Sequence, residues 1–336
     1  MQDEAKRSYF DYVAAAPTLE IQAAITKANQ LLNERYDKIV VSVSGGADSD
    51  VMLDIVLRVI SDREKLRFVF FDTGMEFQAT KDHLDGLERK YGIQIDREKA
   101  VVPVPFGVRK YGQPFLSKNI SDYIERLQRH GFKWEDRPFD ELYAEYPKCK
   151  AALRWWCNDW GEKSRFNISR TTFLKEFMVE NPPTFKISHK CCDGAKKNTA
   201  KRFQKNCDAD LSVQGVRQAE GGVRSTAYKS CWSDNSGALS YYRPLFWFLK
   251  EDKDAYCETF GVCHSRCYTE YGLPRTGCAC CPFGSGFEKE LAAAEKYEPK
   301  LYKAALKVFG DSYEYTRAYR QYKERRDADG RKQNQG

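Results

Sequence analysis

The segment from Lys38 to Asp54, KIVVSVSGGADSDVMLD, constrains the fold more than any other part of the chain. It opens with a β-branched run, Ile39 to Val43, which predicts a strand buried on both faces. A glycine turn, Ser44 to Ser49, follows, and the apolar residues after it recur at helical spacing. Backbone N–H groups, serine hydroxyls and the positive end of a helix dipole converge in such a turn. The sequence therefore predicts an anion-binding loop suited to phosphate.

The composition indicates a folded protein with one large or two small domains. The chain has 336 residues, of which 42% are hydrophobic and 14% aromatic, enough to bury a substantial core. Its first segment, MQDEAKRSYF, lacks the apolar core of a signal peptide, and no run is long enough to cross a membrane. We therefore expect a cytoplasmic protein with no membrane partner. A net charge of +7, from 55 basic and 48 acidic residues, is compatible with nucleic acid but does not select it.

Further strands are predicted along the chain, and they define an α/β fold with a parallel sheet flanked by helices. One covers Arg67 to Phe71, another Ala100 to Val104, and another Ala209 to Gln214. The first of these runs into Asp72-Thr73-Gly74-Met75-Glu76. Because ligands of open parallel sheets bind at the carboxyl ends of the strands, this turn is expected to face the same crevice as the glycine loop.

Three segments carry a resemblance to a known family. SGGADS at the strand–helix junction resembles the PP-loop of the ATP pyrophosphatases. Gly215 to Ser225, which contains two arginines, and RTGCACCPFG from Arg275 to Gly284 resemble the branch related to phosphoadenosine phosphosulfate reductases and to the sulfurtransferase of DNA phosphorothioation. Gly221 departs from the Ser more usual in that branch. The resemblance implies an adenine nucleotide α-hydrolase-like fold that binds ATP and cleaves it between the α and β phosphates.

The predicted organisation has four segments. An N-terminal helical segment covers residues 1–37, and the PP-loop nucleotide-binding α/β domain covers residues 38–250. A cysteine-rich metal or cluster lobe covers residues 251–286, and C-terminal helices with a basic tail cover residues 287–336. The aromatic and basic stretch from Tyr146 to Cys157 has two open interpretations, a core helix or a surface facing a ligand or nucleic acid.

The function implied by the resemblance is ATP-dependent adenylation of an acceptor, coupled to sulfur transfer, with release of pyrophosphate. In this hypothesis Asp48 coordinates Mg²⁺, and Arg217 and Arg224 stabilise the α-phosphate or the acceptor, because a guanidinium clamps anionic oxygens in pairs. The residues expected to bind the nucleotide are Ser44, Gly45, Gly46, Asp48 and Ser49 in the loop, with Asp72, Thr73 and Gly74 in the second turn.

The twelve cysteines indicate a metal or redox centre, because disulfides are rare in a reducing compartment. By resemblance, the ligands of a [4Fe–4S] cluster are Cys191, Cys192, Cys278 and Cys281. A second scheme pairs Cys278 and Cys281 with Cys263 and Cys267, and Cys231 is a further candidate. Structural Zn²⁺ is the alternative metal for either set. Cys280 is then a spare thiol able to carry or resolve sulfur.

Two other functions stay open. The same fold supports a phosphoadenosine phosphosulfate or adenylyl sulfate reductase, but the last cysteine is Cys281, and no ECGxH-like tail supplies the nucleophile of those enzymes. A non-catalytic nucleotide- or nucleic-acid-binding component of a complex is the third candidate. For the adenylating enzyme the expected partners are ATP, a nucleic-acid acceptor, and a cysteine desulfurase or another sulfur donor.

Overall fold

The computed structural model assigns helices and strands along most of the chain. Among the residues that the structure describes, no helix is both long and apolar enough to cross a bilayer. The described residues are 8–221, 227–235, 238–284 and 286–333, the last four as backbone only.

The strands are β1 (Ile39–Ser42), β2 (Leu66–Asp72), β3 (Ile95–Lys99), β4 (Leu211–Gln214), β5 (Trp232–Ser233) and β6 (Ser240–Tyr242). The helices are α1 (Tyr9–Ala15), α2 (Leu19–Asn29), α3 (Ala47–Val59), α4 (Gln78–Tyr91), α5 (Val104–Tyr111), α6 (Lys118–Arg129), α7 (Phe139–Glu145), α8 (Lys150–Trp156), α9 (Leu174–Glu180), α10 (Lys190–Cys192), α11 (Asn198–Asn206), α12 (Lys250–Phe260), α13 (Arg266–Thr269), α14 (Phe287–Tyr297) and α15 (Pro299–Gln333). Single 3₁₀ turns lie at Arg63–Lys65, Pro147–Cys149, Ile168–Arg170 and Gln218–Glu220, and π-helical turns at Gln30–Arg35 and Asp193–Lys197.

The chain divides into two compact units. Unit 1 consists of Met1–Ala100 and Lys196–Cys278, and unit 2 of Val101–Ala195 and Ala279–Gly336. Each unit is therefore built from two separate stretches of sequence. The predicted domain boundaries at residues 38, 251 and 287 do not coincide with this division, and they stay a prediction.

Unit 1 contains a six-stranded sheet with the order β3-β2-β1-β4-β6-β5. All neighbouring strands are parallel except β5, which runs antiparallel to β6 at one edge. In the central register Ser42 lies opposite Val69 of β2 and Gln214 of β4. The loops that follow β1 and β4 therefore leave the same edge side by side. The predicted α/β class with a parallel sheet flanked by helices is confirmed.

The third strand lies earlier than the sequence pattern predicts. Residues 100–104 are not a strand: β3 ends at Lys99, and α5 begins at Val104 with Pro103 as its N-cap and Pro105 in its first turn. Proline is well suited to the first turn of a helix, where its missing N–H is not needed. The true strand reads IDREK, which is polar because an edge strand buries little of its surface.

Helix α3 buries nearly all of its residues, including two carboxylates. Asp54 is 1% exposed and accepts hydrogen bonds from the hydroxyls of Tyr91 (2.9 Å) and Tyr256 (2.8 Å), and it pairs with Arg58 one turn further along. A buried carboxylate is tolerated only when its oxygens are satisfied in this way. Asp54 therefore links α3 to α4 and α12 and holds the helix that begins at the loop.

The core of unit 2 combines aromatic and aliphatic residues from several helices. Trp155 and Trp156 of α8 are buried, so the stretch from Tyr146 to Cys157 contributes to this core. The predicted C-terminal helices are separated at Glu298, before Pro299, and α15 continues through Gly310. The buried aromatic side chains among the described residues of α15 are Phe309, Tyr313, Tyr319 and Tyr322. Burial of Phe309 and Tyr313 on either side of Gly310 outweighs the roughly 1 kcal/mol that a glycine costs inside a helix.

We predict that Tyr256→Phe lowers the free energy of unfolding by about 1.5–3 kcal/mol, the contribution of a hydrogen bond to a charged group. The substitution keeps the ring and removes only the hydroxyl that donates to Asp54. Urea unfolding of wild type and variant measures the difference. Tyr143→Phe is the matched control, since the ring of Tyr143 stacks on Phe139 in unit 2 and should stay in place. Equal losses in both variants would contradict the prediction.

Candidate functional site

The loop between β1 and α3 is organised by its own serine side chains. The N–H of Ser44 donates to Oγ of Ser49 at 2.8 Å, and the N–H of Gly46 donates to Oγ of Ser44 at 3.4 Å. Gly45 has a φ of 68°, in the left-handed region that favours glycine. These contacts bring the predicted loop residues into one closed turn at the carboxyl edge of the central strand.

The space around both glycines of the loop is tight. A Cβ on Gly45 would lie 2.8 Å from Cγ2 of Thr80, which is too close for two carbon atoms. A Cβ on Gly46 would lie 3.1 Å from Oγ1 of Thr276 and 3.3 Å from the hydroxyl of Tyr268. Any side chain at Gly46 would therefore occupy the space between the loop and two hydroxyl groups.

Two residues that the sequence pattern did not single out contact the start of α3. The hydroxyl of Tyr268 accepts the N–H of Ala47 at 3.0 Å and lies 3.2 Å from Oγ1 of Thr276. Burial raises the pKa of Tyr268, so the hydroxyl stays protonated and able to donate. Thr276 belongs to the RTGCACCPFG segment, and its position in that motif is the signal that could have identified it.

Asp48 lies between two cations. Its Oδ2 accepts from Nε of Arg217 at 2.9 Å, and its Oδ1 lies 3.3 Å from Nζ of Lys253. All three side chains are 14 to 16% exposed. Two of the predicted catalytic residues, Asp48 and Arg217, are therefore in contact, and Lys253 joins them from α12. The third, Arg224, lies outside the described residues.

The pairing with Arg217 leaves part of the Asp48 carboxylate available. Oδ1 is buried and takes no hydrogen bond among the described residues. A carboxylate oxygen in this state suits a hard cation such as Mg²⁺, and Lys253 at 3.3 Å is the group that a metal ion would have to move. The predicted Mg²⁺ ligand is thus present, although Arg217 and Lys253 already balance its charge, and Mg²⁺ at this position stays a prediction.

The turn after β2 closes on itself through Glu76. The N–H and the hydroxyl of Thr73 both donate to Oε1 of Glu76, the N–H at 2.9 Å, while the N–H of Gly74 donates to Oδ1 of Asp72 at 2.9 Å. Gly74 has a φ of 81°, which this turn requires. Hydrogen bonds within the turn therefore occupy Oδ1 of Asp72, the N–H and hydroxyl of Thr73, and the N–H of Gly74. The hydroxyl of Thr73 also lies 3.4 Å from Sγ of Cys278.

The carboxyl groups of Asp72 and Glu76 shift each other's pKa in opposite directions. Burial raises the pKa of Glu76 to about 7, and its hydrogen bond with Asp72 acts in the same direction. Burial also opposes ionisation of Asp72, but the hydrogen bonds from Glu76 and from the N–H of Gly74 keep the pKa of Asp72 below its ordinary value. Glu76 is therefore the more readily protonated of the two carboxyl groups.

The candidate metal cysteines are distributed over both units. In unit 1, Cys278 is partly exposed beside Thr73, Cys263 is exposed, and Cys267 is buried with its Sγ 3.6 Å from Oγ1 of Thr80. Cys231 is partly exposed. In unit 2, Cys191 is buried on α10, whereas its neighbour Cys192 and Cys281 are partly exposed. All twelve cysteines are thiols rather than disulfides.

The spacing of these thiols bears on the choice of metal. Within each unit, the described cysteines form no group of three whose sulfur atoms all lie within 4.8 Å of one another. Sulfurs on one zinc ion lie roughly 3.8 Å apart, given a Zn–S distance of about 2.3 Å, so neither unit contains a preformed zinc thiolate site. A [4Fe–4S] cluster holds its four thiolates farther apart, because iron atoms separate them.

Cys280 differs from its neighbours. It is fully buried, its N–H donates to Oε2 of Glu290 at 2.7 Å, and its carbonyl accepts from the hydroxyl of Tyr313. Burial raises the pKa of its thiol to about 12. A thiol that is neither accessible nor ionised is a poor nucleophile. This contradicts the interpretation of Cys280 as a spare thiol that carries sulfur.

One other set of side chains in unit 2 has the spacing of metal ligands. Donor atoms of Asp122, Glu125 and His189 lie within 4.8 Å of one another. Burial alone would raise the pKa of Glu125. Its charged hydrogen bonds from Lys190 and Arg129 outweigh this effect and hold the pKa below the ordinary value. The negative charge that would attract a metal ion is thus already neutralised.

A family model matches the first part of the α/β domain. Residues 38–115 match the model of a family described as the phosphoadenosine phosphosulfate reductase domain. This range contains the glycine loop, α3 and the Asp72–Glu76 turn. The match is thus independent support for the resemblance carried by the loop.

Curated relatives extend the similarity without adding a function. An uncharacterized protein of Methanocaldococcus jannaschii is 35% identical over 92 residues, which is 26% of this chain and 19% of that protein. An uncharacterized 37.8 kDa protein of Escherichia phage 186 is 26% identical over 248 residues, 72% of this chain and 66% of that protein. The chain thus spans less than two thirds of the length of either relative.

Among solved structures, a phosphoadenylyl-sulfate reductase from Candida auris is 15% identical, with a TM-score of 0.38. The similarity covers 76% of this chain and 95% of that one. At this score the resemblance is distant.

We predict that Glu76 makes the protein less stable as the pH rises from about 4.5 to about 7. Its folded pKa of about 7 exceeds the unfolded value of about 4.3, so the folded state binds more protons in that window and loses stability as they leave. Glu76→Gln keeps a donor toward Asp72 but does not titrate. Urea midpoints near pH 5 and pH 7.5 should therefore fall less with pH in this variant than in wild type. Equal slopes in the two proteins would contradict the prediction.

Proposed function

Because the chain belongs to the PP-loop ATP pyrophosphatase superfamily, in its phosphoadenosine phosphosulfate reductase-like branch, we propose that it is an enzyme that adenylates an acceptor with ATP and then exchanges the AMP for sulfur. The observation that carries the proposal is the group formed by Asp48, Arg217 and Lys253 beside an intact glycine loop. It supplies two cations and a carboxylate at the edge of the sheet where the phosphates of ATP are expected.

In the proposed reaction, an oxygen of the acceptor attacks the α-phosphorus of ATP. The bond from that phosphorus to the α–β bridging oxygen breaks, pyrophosphate leaves, and AMP is joined to the acceptor oxygen. Ser44, Gly45, Gly46 and Ser49 hold the pyrophosphate, assisted by the positive end of α3. A sulfide-level sulfur nucleophile from the donor then attacks the acceptor atom that carries this oxygen. The bond from that atom to the oxygen breaks, and AMP leaves with the oxygen. Each step needs negative charge to be stabilised as it moves between oxygens.

The ion pairs of Asp48 prepare that stabilisation. The single carboxylate of Asp48 holds both Arg217 and Lys253, whose side chains are 14 and 16% exposed. Oδ1 of Asp48 would hold Mg²⁺, and Arg217 and Lys253 would then be free to meet the phosphate oxygens. Cations positioned in advance in a site that excludes water stabilise developing charge more than mobile cations in solvent do. Mg²⁺ supplies further neutralisation of the leaving pyrophosphate.

Cys191, Cys192, Cys278 and Cys281 are proposed as the ligands of a [4Fe–4S] cluster. Thiolates are the ligands that such clusters use, and the resemblance of the RTGCACCPFG segment supports this set. When bound, the cluster would supply a site that accepts or delivers sulfur. The contact of Cys278 with Thr73 in unit 1 connects one proposed ligand to the turn that follows β2.

The acceptor is proposed to be a nucleic acid, and the sulfur source a cysteine desulfurase or another sulfur donor. The basic excess of the chain is compatible with a polyanion. A second candidate, reduction of phosphoadenosine phosphosulfate or adenylyl sulfate to sulfite, is favoured by the description of the matching family. That reaction needs a nucleophilic thiol, and Cys280 in the cysteine motif is too buried to be one.

We predict that Asp48→Asn lowers pyrophosphate release from ATP and Mg²⁺ by roughly 100-fold or more, the order seen when one group stabilising the transition state is lost. The assay uses protein purified without oxygen and candidate DNA and RNA acceptors. Asp96→Asn is the matched control, because Asp96 pairs with Arg67 at 2.7 Å on an exposed part of the same sheet.

Three other outcomes are informative. Sulfite release from phosphoadenosine phosphosulfate would replace the adenylation proposal with the reductase. ATP bound without turnover, with every acceptor present, would leave a binding component. Equal activity of Asp48→Asn and Asp96→Asn would remove Asp48 from the proposed chemistry.

We predict that Cys281→Ser lowers the iron and acid-labile sulfide content of anaerobically purified protein by at least half, because three thiolates hold a cubane cluster weakly. Cys207→Ser is the control, since Cys207 belongs to none of the proposed ligand schemes. Metal analysis of both variants and of wild type measures the difference. Stoichiometric zinc in wild type would contradict the cluster assignment.

A further inference from the structure

A cysteine, a histidine and an aspartate are aligned beside the glycine loop in unit 1. Sγ of Cys257 lies 3.4 Å from Nε2 of His264, and Nδ1 of His264 lies 2.9 Å from Oδ2 of Asp50. Cys257 is on α12, His264 follows that helix, and Asp50 is in the first turn of α3. None of these residues has a role in the adenylation described above.

The aspartate holds the imidazole in a defined orientation. Asp50 is 1% exposed, and its other oxygen, Oδ1, lies 3.0 Å from Nε2 of His83. Because Nδ1 of His264 is engaged by Asp50, Nε2 is the nitrogen directed at the thiol of Cys257. A nucleophile, a base and a group that orients the base, in this order, form the arrangement that activates cysteine in enzymes.

Cys257 is also accessible, unlike the buried thiols of the chain. Its side chain is partly exposed, and that of His264 is 20% exposed. Cys267 and Cys280, by contrast, are fully buried. Cys257 is therefore more accessible to a small reagent than those two thiols, and Nε2 of His264 lies within reach of its proton.

The position of Cys257 relates it to the proposed adenylation site. Lys253, whose Nζ contacts Asp48, precedes Cys257 by four residues on the same helix. Residues four apart lie on the same face of a helix and are separated by about 6 Å along its axis. The thiol is thus one helical turn from a side chain that reaches the glycine loop.

We propose that Cys257, activated by His264 and oriented through Asp50, is a nucleophilic site that takes up sulfane sulfur from a persulfide. The thiolate attacks the terminal sulfur of the donor R–S–SH. A new S–S bond forms at Cys257, the S–S bond of the donor breaks, and R–S⁻ leaves and takes up a proton. The product is a persulfide on Cys257, with no net oxidation. The use of this sulfur on an adenylated acceptor rests on the proposed function, whereas its uptake does not.

The test is anaerobic incubation of the full chain with glutathione persulfide in the absence of ATP, followed by alkylation and peptide mass spectrometry. We expect one added sulfur on the Cys257 peptide, formed at least tenfold faster than on Cys263, which is the more exposed of the two. His264→Gln should slow uptake at Cys257 at least tenfold, because a general base contributes about 100-fold or more. His130→Gln is the matched control, remote in sequence and in unit 2.

Alkylation of Cys267 reports on folding in the same experiment. Cys267 is fully buried in unit 1, so it should stay unlabelled in any variant whose unit 1 is folded. With Cys267 protected, equal uptake at Cys257 and Cys263, or an unchanged rate in His264→Gln, would overturn the proposal. Sulfur uptake at Cys257 without pyrophosphate release from ATP would overturn only the adenylation proposal. Pyrophosphate release without sulfur uptake at Cys257 would overturn only the proposal of a sulfur nucleophile.

Discussion

Buried carboxylates on α3 determine how unit 1 is assembled around the loop. A carboxylate removed from water must be given donors or cations, and losing one partner costs several kcal/mol. The helix carries three carboxylates in its first eight residues, two of them fully buried, and all of their partners except Arg58 come from other parts of the chain. The contacts are Asp48 with Arg217 and Lys253, Asp50 with His83 and His264, and Asp54 with Tyr91, Tyr256 and Arg58.

This arrangement explains why α12 and the residues after it belong with the nucleotide-binding sheet. Lys253, Tyr256 and His264 each satisfy a different carboxylate of α3, and Tyr268 contacts the first N–H of that helix. The segment up to Cys278 is accordingly part of unit 1. The cysteine motif is divided at this point, because Ala279 begins the second stretch of unit 2.

The two proposed chemical roles use different sides of the same helix. Asp48 keeps Arg217 and Lys253 in place, so that cations are ready where negative charge moves. Asp50 orients an imidazole toward Cys257 and not toward the loop. An enzyme that activates an oxygen with ATP and replaces it with sulfur needs both an anion site and a sulfur nucleophile. In unit 1 one helix, α3, would support both through neighbouring carboxylates.

The sequence by itself determined the class of fold and the loop. Strand and helix periodicity and the turn SGGADS depend on local backbone preferences, so β1, α3 and the parallel sheet could be predicted from Lys38 to Asp54 and the runs after it. The local sequence pattern did not locate β3 correctly, because a polar edge strand carries little hydrophobic signal. Only the tertiary structure decided which distant residues meet. Lys253, Tyr268, Thr276 and the alignment of Cys257, His264 and Asp50 depend on helix packing, and residue spacing along the chain contains no information about such contacts.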